Sequence, residues 1–321
     1  MRAGTALGLA AGLVAAGWAW TRAMTARNVR LRRPPALDAA GRPWPVTRFR
    51  FADGAEVDLI VAGRGPVLLL VPGADGMKET WRHQLPAFAA RYRVLAADVR
   101  STFGPDDTFD RLAADAVELL DAHGADTAAV VGQSLGGAVA MRLAARRPER
   151  VRALVVANSL ARVSYEHVGP NRTLLAPLAM ATTRYLPTPL ARAAARMWSR
   201  ADAWIFDSSP GSERVVDYAL WTGPRTERPS VSARRVDLLK RADLRPELPS
   251  IRAPTLVVKG PRDAYTPPSW ARAIAAAIPG ARYEEVPGTG HCSHISMPEA
   301  FNALVLDWLA ANDPAGGEES A

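Results

Sequence analysis

The first residues in the sequence with an evident chemical use are a serine and the glycines around it. Residues 132–136 read Gly-Gln-Ser-Leu-Gly and follow an apolar run, residues 128–131, that is typical of a buried strand. A helical stretch begins at Leu135, so Ser134 falls at a sharp strand-to-helix turn, where side chains two positions to either side do not fit. A helix N-terminus also favours negative charge that develops beside it. Ser134 is therefore the candidate nucleophile.

A serine hydroxyl at neutral pH needs a base, and the chain contains five histidines. His291 follows the last strand candidate, on a loop expected at the same edge of the sheet as Ser134. His294, three residues further on, is the competing base. The other three fall in a predicted helix, next to a strand at the opposite edge and in a helical insertion, which favours a structural role. The sequence therefore favours His291.

The imidazole of a general base needs an acid to orient it, and Asp263 is the candidate. It follows the strand candidate Thr255–Val258 and reaches the same edge of the sheet. Asp98 also follows a strand, but an acid at that place more often braces a loop. Asn158, after the sixth strand, cannot supply a carboxylate. The chain order is then nucleophile, acid, base.

The negative oxygen formed when a serine attacks a carbonyl needs backbone N–H donors, whatever the side chains are. The residue after the nucleophile, Leu135, supplies one of them. The loop after the third strand, residues 71–76, is expected to supply the other from Ala74.

Short apolar runs alternate with helical stretches from residue 46 onward, and this alternation predicts a doubly wound, mostly parallel α/β sheet. The strand candidates are Val46–Ala52, Val57–Ala62, Val67–Val71, Arg93–Ala97, Thr127–Val131, Val151–Ala157, Thr255–Val258 and Arg282–Val286. The helix candidates are Lys78–Ala90, Phe109–His123, Leu135–Arg146, Pro268–Ala277 and Pro298–Ala311.

The alternation stops after the sixth strand, where residues 160–250 are helical and rich in proline. This segment predicts a helical cap over a core formed by residues 46–159 and 251–312, with a disordered tail at 313–321. Its aromatic residues are candidates for a substrate pocket, although such spacings are more often cap core. The pocket candidates are Trp198, Trp204 and Trp221, with Phe206 and Tyr218 beside them. We expect the cap to set acyl-chain preference, because the nucleophile and oxyanion donors lie on the core.

The net charge of +8 is concentrated in residues 1–33, which hold six arginines and no acid. Without those six, the rest of the chain has a net charge of only +2, so no nucleic-acid partner is expected. The run Ala3–Trp20 has no charge and has Trp18 and Trp20 at its end, where aromatic residues lie at a membrane interface. It predicts a membrane anchor over residues 1–27. A basic, proline-rich linker would follow at 28–45. A cleaved signal, a mitochondrial presequence and a peripheral helix are the alternatives.

The distribution of arginines about that anchor predicts a cytoplasmic catalytic domain, because the longer basic flank follows the anchor. Gly4, Gly8, Gly12 and Ala16 would lie along one face of the helix, which suggests a weak homodimer within the membrane. Only one cysteine, Cys292, is present and no Cys/His cluster has metal-ligand spacing, so neither a disulfide framework nor a metal is expected. No cofactor is expected either.

From residue 46 to 311 the sequence resembles the α/β-hydrolase superfamily. Beyond the Ser134, Asp263 and His291 motifs, the likeness includes Asp98-Val99-Arg100, residues 148–151 (Pro-Glu-Arg-Val), Gly290-His291 and Pro298-Glu299. Two positions depart from the family pattern: Pro72 stands for the usual histidine before Gly73, and Ser101 for the usual glycine after Asp-x-Arg. Within the superfamily, residues 71–73, 132–137 and 157–159 are similar to maspardin-like proteins.

The resemblance implies a serine hydrolase that cleaves a carboxylic ester or related acyl substrate through an acyl-enzyme. The serine argues against haloalkane dehalogenase and epoxide hydrolase chemistry, which in this fold use an aspartate nucleophile. A C–C hydrolase or a cofactor-independent perhydrolase would use the same three residues. The alternative from another class is a non-catalytic binding or scaffold protein on the same fold. A membrane anchor would favour a lipophilic substrate.

Overall fold

Eight strands form the centre of the protein in the computed structural model, which describes residues 2–31, 42–164, 181–200, 211–225 and 229–315. The strands are β1 (Thr47–Arg50), β2 (Glu56–Ala62), β3 (Val67–Val71), β4 (Arg93–Ala97), β5 (Ala128–Gln133), β6 (Val151–Ala157), β7 (Thr255–Lys259) and β8 (Arg282–Glu285). They form one sheet in the order β1-β2-β4-β3-β5-β6-β7-β8. Strands β1 and β2 run antiparallel to their neighbours, and the others pair in parallel.

The central strands are mainly apolar because both of their faces are covered. Successive side chains of a strand point to opposite faces, so Leu68 and Leu69 of β3 belong to two different apolar clusters. The same division separates Val130 from Val131 in β5. The sheet therefore lies between two layers of helices, which confirms the predicted doubly wound α/β fold.

The helices that cover the sheet and those that form the cap occupy separate parts of the chain. The helices are α1 (Arg2–Leu31), α2 (Leu85–Phe88), α3 (Asp110–Ala122), α4 (Leu135–Arg146), α5 (Thr188–Arg200), α6 (Ser212–Thr222), α7 (Pro229–Lys240), α8 (Pro268–Ala277), α9 (Ser293–Ser296) and α10 (Pro298–Asn312). Helices α5, α6 and α7 come between β6 and β7, where the helical cap was predicted. Residues 32–41 of the predicted linker, 165–180, 201–210 and 226–228 of the cap, and 316–321 of the tail lie outside the described residues.

One predicted helix is not continuous. Residues 78–90 were expected to form a single helix, but the structure has a 3-10 turn at Lys78–Trp81 followed by the short helix α2. Pro86 lies in the first turn of α2, where its missing N–H costs nothing, but a continuous helix would have lost a hydrogen bond there. Trp81, Leu85 and Phe88 are all fully buried. The apolar spacing that suggested one helix is thus satisfied by two shorter elements.

The N-terminal helix α1 does not meet the requirements of a membrane-spanning anchor. Among the residues whose positions the structure gives, no helix has both the length and the apolar composition that a membrane crossing requires. The part of α1 with described side chains, Val14–Leu31, contains three arginines: Arg22, Arg27 and Arg30. The predicted transmembrane helix is therefore wrong, and the membrane-anchored localisation with a cytoplasmic catalytic domain falls with it. The predicted homodimer depended on the same span and loses its structural basis.

The second half of α1 packs against the cap instead. Asn28 is fully buried, and its side-chain amide donates to the carbonyls of Arg184 and Leu186, both at 3.0 Å. Arg225, just after α6, donates to the carbonyl of Val29 at 2.6 Å. The helix continues to Leu31, four residues past the predicted boundary at residue 27. These contacts connect the end of α1 to the cap helices.

Candidate active site

Ser134 lies at a strained turn between β5 and α4. Its backbone angles are φ 54° and ψ −119°, a positive φ that a non-glycine residue rarely adopts. A Cβ atom on Gly132 would come within 2.2 Å of the Gly136 carbonyl oxygen, and one on Gly136 within 2.1 Å of the Val71 carbonyl oxygen. Only glycine fits at either place. Ser134 thus lies at a sharp turn between a strand and a helix, the kind of turn that the sequence pattern indicates.

A chain of two hydrogen bonds joins the three residues that the sequence singled out. His291 Nε2 is 3.1 Å from Ser134 Oγ, and His291 Nδ1 is 2.9 Å from Asp263 Oδ2. Both distances lie in the normal hydrogen-bond range. In the neutral tautomer with its hydrogen on Nδ1, His291 accepts from the serine hydroxyl and donates to the carboxylate.

The Asp263 carboxylate is surrounded by donors. Its Oδ1 accepts the backbone N–H groups of Tyr265 and Thr266, both at 2.9 Å, and its Oδ2 accepts the Thr266 hydroxyl at 2.6 Å. Burial alone would raise the pKa of Asp263, but His291 and Lys259 outweigh burial and hold that pKa well below its usual range. The carboxylate is therefore ionised at neutral pH and free to accept from His291.

Lys259 completes that environment, and sequence reasoning did not single it out. It ends β7 with 0% of its surface exposed, and its ammonium donates to Asp263 Oδ2 and to the Thr266 carbonyl and hydroxyl. Three acceptors match the three N–H groups of an ammonium. Burial lowers the pKa of Lys259, while Asp263 opposes that shift. A lysine at the end of a wholly buried strand was the available signal, because a buried lysine needs a partner.

The rival candidates have other partners. His294 is buried, with Nε2 2.9 Å from Thr80 Oγ1 and its ring 5.0 Å from that of Trp81. Burial lowers the pKa of His294 well below its usual value. Asp98 accepts the backbone N–H of Lys78 at 2.8 Å, so it braces the loop after β3. Burial raises the pKa of Asp98 to about 6.

Asn158 braces the two loops that carry Asp263 and His291. It has a positive φ of 45° and is fully buried. Its side-chain oxygen accepts the N–H of Gly260 at 2.7 Å, before the Asp263 loop, and its amide donates to the Ser293 hydroxyl at 2.7 Å, after His291. Asn158 cannot supply the acid itself, but its two hydrogen bonds link the loop that carries Asp263 to the loop that carries His291.

The two residues predicted to supply the oxyanion donors lie near the nucleophile. Ala74, Ser134 and Leu135 line the same pocket. Leu135 is the first residue of α4, so its N–H has no partner within the helix. The loop of Ala74 passes close to the serine, since a Cβ atom on Gly73 would be 3.5 Å from Ser134 Cβ.

The sequence profile of the alpha/beta hydrolase family, compared with the chain, matches residues 68–304, which is most of its length. The chain belongs to the alpha/beta hydrolase family.

Relatives of this hydrolase match it over nearly their whole length. The Azorhizobium caulinodans protein that carries the name carbamate hydrolase RutD is 30% identical over 277 residues, covering 82% of this chain and 99% of that protein. A solved hydrolase from Pseudomonas aeruginosa PA01 is 30% identical with a TM-score of 0.64, covering 82% of this chain and 98% of that one. The enol-lactonase from Burkholderia xenovorans LB400 is 26% identical with a TM-score of 0.67, covering 82% and 100%.

The pocket in front of Ser134 of this hydrolase is mainly apolar. It has about 410 Å³ of empty space, counting its opening to solvent. Besides Ala74, Ser134 and Leu135, its lining consists of Leu160, Val163, Ser164, Val236, Leu239, Tyr265, Thr266 and Trp270. Val236 and Leu239 come from the cap helix α7, and Trp270 from α8 of the core. Cap and core thus both shape the space that a substrate would enter.

The cap aromatics named from the sequence have a different placement. Trp221 is buried in a cluster with Val215, Tyr218 and Ile295, and it is not among the residues that line the pocket beside Ser134. It therefore packs where the cap helix α6 meets α9 of the core, and not in the pocket. The side chain of Trp198 and the whole of Trp204 lie outside the described residues. Within those residues, no three His, Cys, Asp or Glu side chains come together as a metal site requires.

The cap also reaches the loop that carries Ala74. The hydroxyl of Tyr218, on α6, donates to Asp75 Oδ2 at 2.5 Å. Arg235, on α7, is 1% exposed and donates to backbone carbonyls on this loop and on the loop after β4. Burial raises the pKa of Asp75, while Tyr218 and Arg235 oppose that shift. Sequence reasoning missed these contacts because they join residues far apart in the chain.

Proposed function

We propose that the protein hydrolyses a carboxylic ester or a related acyl compound through an acyl-enzyme intermediate. The observation that carries the proposal is the hydrogen-bonded chain from Asp263 through His291 to Ser134, at the floor of an apolar pocket. A serine hydroxyl linked in this way to a base, with the base linked to a buried carboxylate, is the arrangement that activates a serine for attack.

In the proposed acylation step, Ser134 Oγ attacks the carbonyl carbon while His291 Nε2 takes the hydroxyl proton. The carbonyl oxygen becomes negative and is bound by the N–H groups of Ala74 and Leu135. The bond to the alkoxide then breaks, and His291 returns the proton to the departing oxygen. The alcohol leaves, and the acyl group stays on Ser134.

Deacylation repeats the same steps with water in place of serine. His291 accepts a proton from water as the water oxygen attacks the acyl carbon, and it then protonates Ser134 Oγ as the acyl–serine bond breaks. Asp263 holds the imidazole in the required tautomer and stabilises its charged form in both halves. The products are the carboxylic acid and free enzyme.

The pocket lining supports an apolar acyl group, and the names of two relatives support a substrate with a carbonyl group. Leu160, Val163 and Leu239 offer no hydrogen-bonding side chains, so they favour a hydrocarbon acyl chain. One relative is named for carbamate hydrolysis and another for enol-lactone hydrolysis. Both groups, like an ester, have a carbonyl that a serine can attack. A lactone and a carbamate therefore belong in the substrate panel.

The finer assignments made from the sequence are part of this proposal. The core at residues 46–159 and 251–312, the cap at 160–250 and the likeness to maspardin-like proteins remain predictions from the sequence pattern. A C–C hydrolase or perhydrolase would use the same three residues, whereas a non-catalytic scaffold would use none of them.

A fluorophosphonate probe and a panel of p-nitrophenyl esters of increasing acyl length test the proposal together. We expect the probe to label wild-type protein and the Ser134→Ala variant to resist labelling. We also expect hydrolysis of at least one ester, lactone or carbamate, and none by Ser134→Ala. A folded wild-type protein that neither reacts with the probe nor turns over any member of the panel would support the scaffold alternative instead.

A further inference from the structure

A buried arginine of the cap holds the loop that carries Ala74. The guanidinium of Arg235 donates from Nη1 to the carbonyls of Ala74 (3.4 Å) and Asp75 (3.2 Å). From Nη2 it donates to the carbonyls of Val99 (2.5 Å) and Arg100 (2.9 Å), and from Nε to Arg100 again (3.0 Å). All three nitrogens are used, and they join the loops after β3 and β4.

The backbone of the loop is shaped to accept this guanidinium. Gly76 has a φ of +71°, and a Cβ atom there would lie 2.2 Å from Arg235 Nη1 and 2.4 Å from Arg235 Cζ. The guanidinium therefore lies directly against the bare Cα of Gly76. A side chain at position 76 would strain the backbone and would also displace Arg235.

Hydrogen bonds hold the peptide that contains the Ala74 N–H and also the peptide that follows it. In the peptide that contains this N–H, the Gly73 carbonyl accepts from the N–H of Gly76 at 2.9 Å. In the next peptide, the Ala74 carbonyl accepts from Arg235. Further along the loop, the Gly76 carbonyl accepts from the N–H of Val99 at 2.9 Å. Because a peptide unit is planar, the held Gly73 carbonyl sets the direction of the Ala74 N–H. Arg235 holds the peptide that follows, so it limits rotation of the backbone at Ala74.

We propose that Arg235 is a positioning residue for the oxyanion hole, so that the cap acts on the rate of the reaction as well as on the choice of substrate. The inference rests on the proposed function, in which the Ala74 N–H binds the oxyanion. Arg235 lies behind the loop, on its carbonyls, and it is not among the residues that line the pocket. It therefore acts through the backbone of the loop.

The position next to it gives a matched contrast. Val236 follows Arg235 on α7 and lines the pocket directly. A residue that orients the oxyanion donor acts on the carbonyl common to all esters, so its loss lowers kcat for every acyl length alike. A residue that lines the pocket discriminates between short and long acyl chains. Arg234, on the same helix and partly exposed beside Asp237, is the control for removing a positive charge.

The test measures kcat and KM of Arg235→Met, Arg235→Lys, Arg234→Met and wild type on short and long p-nitrophenyl esters. Rates are divided by the amount of Ser134 that a fluorophosphonate probe labels at completion, so misfolded protein does not count. We expect Arg235→Met to lose about tenfold to a hundredfold in kcat at both acyl lengths with little change in KM. Arg235→Lys should recover part of the loss, and Arg234→Met should match wild type.

Gly76→Ala disrupts the same contact by a change in the loop, and it is the second variant to use if Arg235→Met does not fold. It should lower kcat equally for short and long esters because it pushes the guanidinium off the loop. Unchanged kcat per labelled serine in the folded Arg235 and Gly76 variants, or a loss confined to one acyl length, would overturn the inference alone. A wild-type protein without labelling or hydrolysis would overturn the proposed function and this inference with it.

Discussion

The two sides of Ser134 are held by different parts of the molecule. On one side, Asp263 and His291 are held by core residues: Asn158 joins their loops, and Lys259 binds the carboxylate. On the other side, the loop of Ala74 is held from the cap by Arg235. The contacts that hold the acid and the base come from the core. The loop of Ala74, which we propose binds the oxyanion, is held both by core residues and by the cap helix α7. In the proposed reaction, the cap therefore has a part in positioning the oxyanion donor.

The largest effect is expected on the core side of the site, where replacing each of two nearby histidines should distinguish the base from a structural residue. His291→Ala should lower kcat by at least about a thousandfold with little change in Tm, because the proposed base touches the nucleophile. His294→Ala should do the reverse: it leaves a cavity between Thr80 and Trp81 and costs about 2 kcal/mol of folding free energy. Ester hydrolysis and thermal unfolding of both variants check this. An inactive but stable His294→Ala protein would show that the base is misassigned.

The next effect concerns Lys259, and it is expected in stability. Lys259→Met leaves a buried carboxylate without its ammonium partner, which should lower the free energy of unfolding by about 3 kcal/mol. The same change in an Asp263→Asn background should cost much less, because the negative charge is already gone. Denaturant unfolding of the four proteins measures the coupling. Equal losses in both backgrounds would mean that Lys259 contributes by packing and not by charge.

A smaller effect is expected where the cap lines the pocket. Val236→Phe fills space in front of Ser134, so kcat/KM for a long acyl ester should fall by about tenfold while that for the acetate ester stays near wild type. The ratio of the two rates on p-nitrophenyl esters is the measurement. If kcat/KM fell equally for short and long esters, Val236 would act as we propose for Arg235. The proposed difference between these two neighbours would then be wrong.

The smallest effect is expected on the outer surface of the cap. Glu213 on α6 pairs with Arg192 and Arg196 on α5, and its side chain is half exposed. Exposed pairs contribute little because solvent screens them. Glu213→Gln should therefore leave both Tm and ester hydrolysis unchanged. A marked loss of activity in this variant would mean that the ion pairs on the surface of the cap help to hold the cap in position over the core.

The sequence predicted the core better than the contacts that support it. Strands β3, β4 and β6 and helix α4 have the predicted bounds, because continuous apolar runs and the glycines of the serine turn are strong local signals. The Ser134, Asp263 and His291 positions followed from the ends of strands in a known order. Arg235 gave no such signal, since its value depends on carbonyls 135 to 161 residues away in the chain.

Two errors came from patterns that fit more than one structure. The spacing of Trp81, Leu85 and Phe88 suits a long helix, yet a 3-10 turn followed by a short helix buries the same side chains. The uncharged run before Trp20 suggested a span, but composition does not reveal that the end of α1 packs on the cap through Asn28. Tertiary contacts decided the first outcome, and the insufficient apolar composition of the helix decided the second.

The docking of α1 has a consequence for the order in which the chain assembles. The hydrogen bonds of Asn28 cannot form until Arg184 and Leu186, which follow it by 156 and 158 residues, have been synthesised. A growing chain therefore completes β1 to β6 before the first helix has a surface to settle on. Contacts of such long sequence separation form late because closing the loop costs entropy before any contact rewards it. Helix α1 is thus synthesised well before the residues that it docks against, and we expect its docking to be a late folding step.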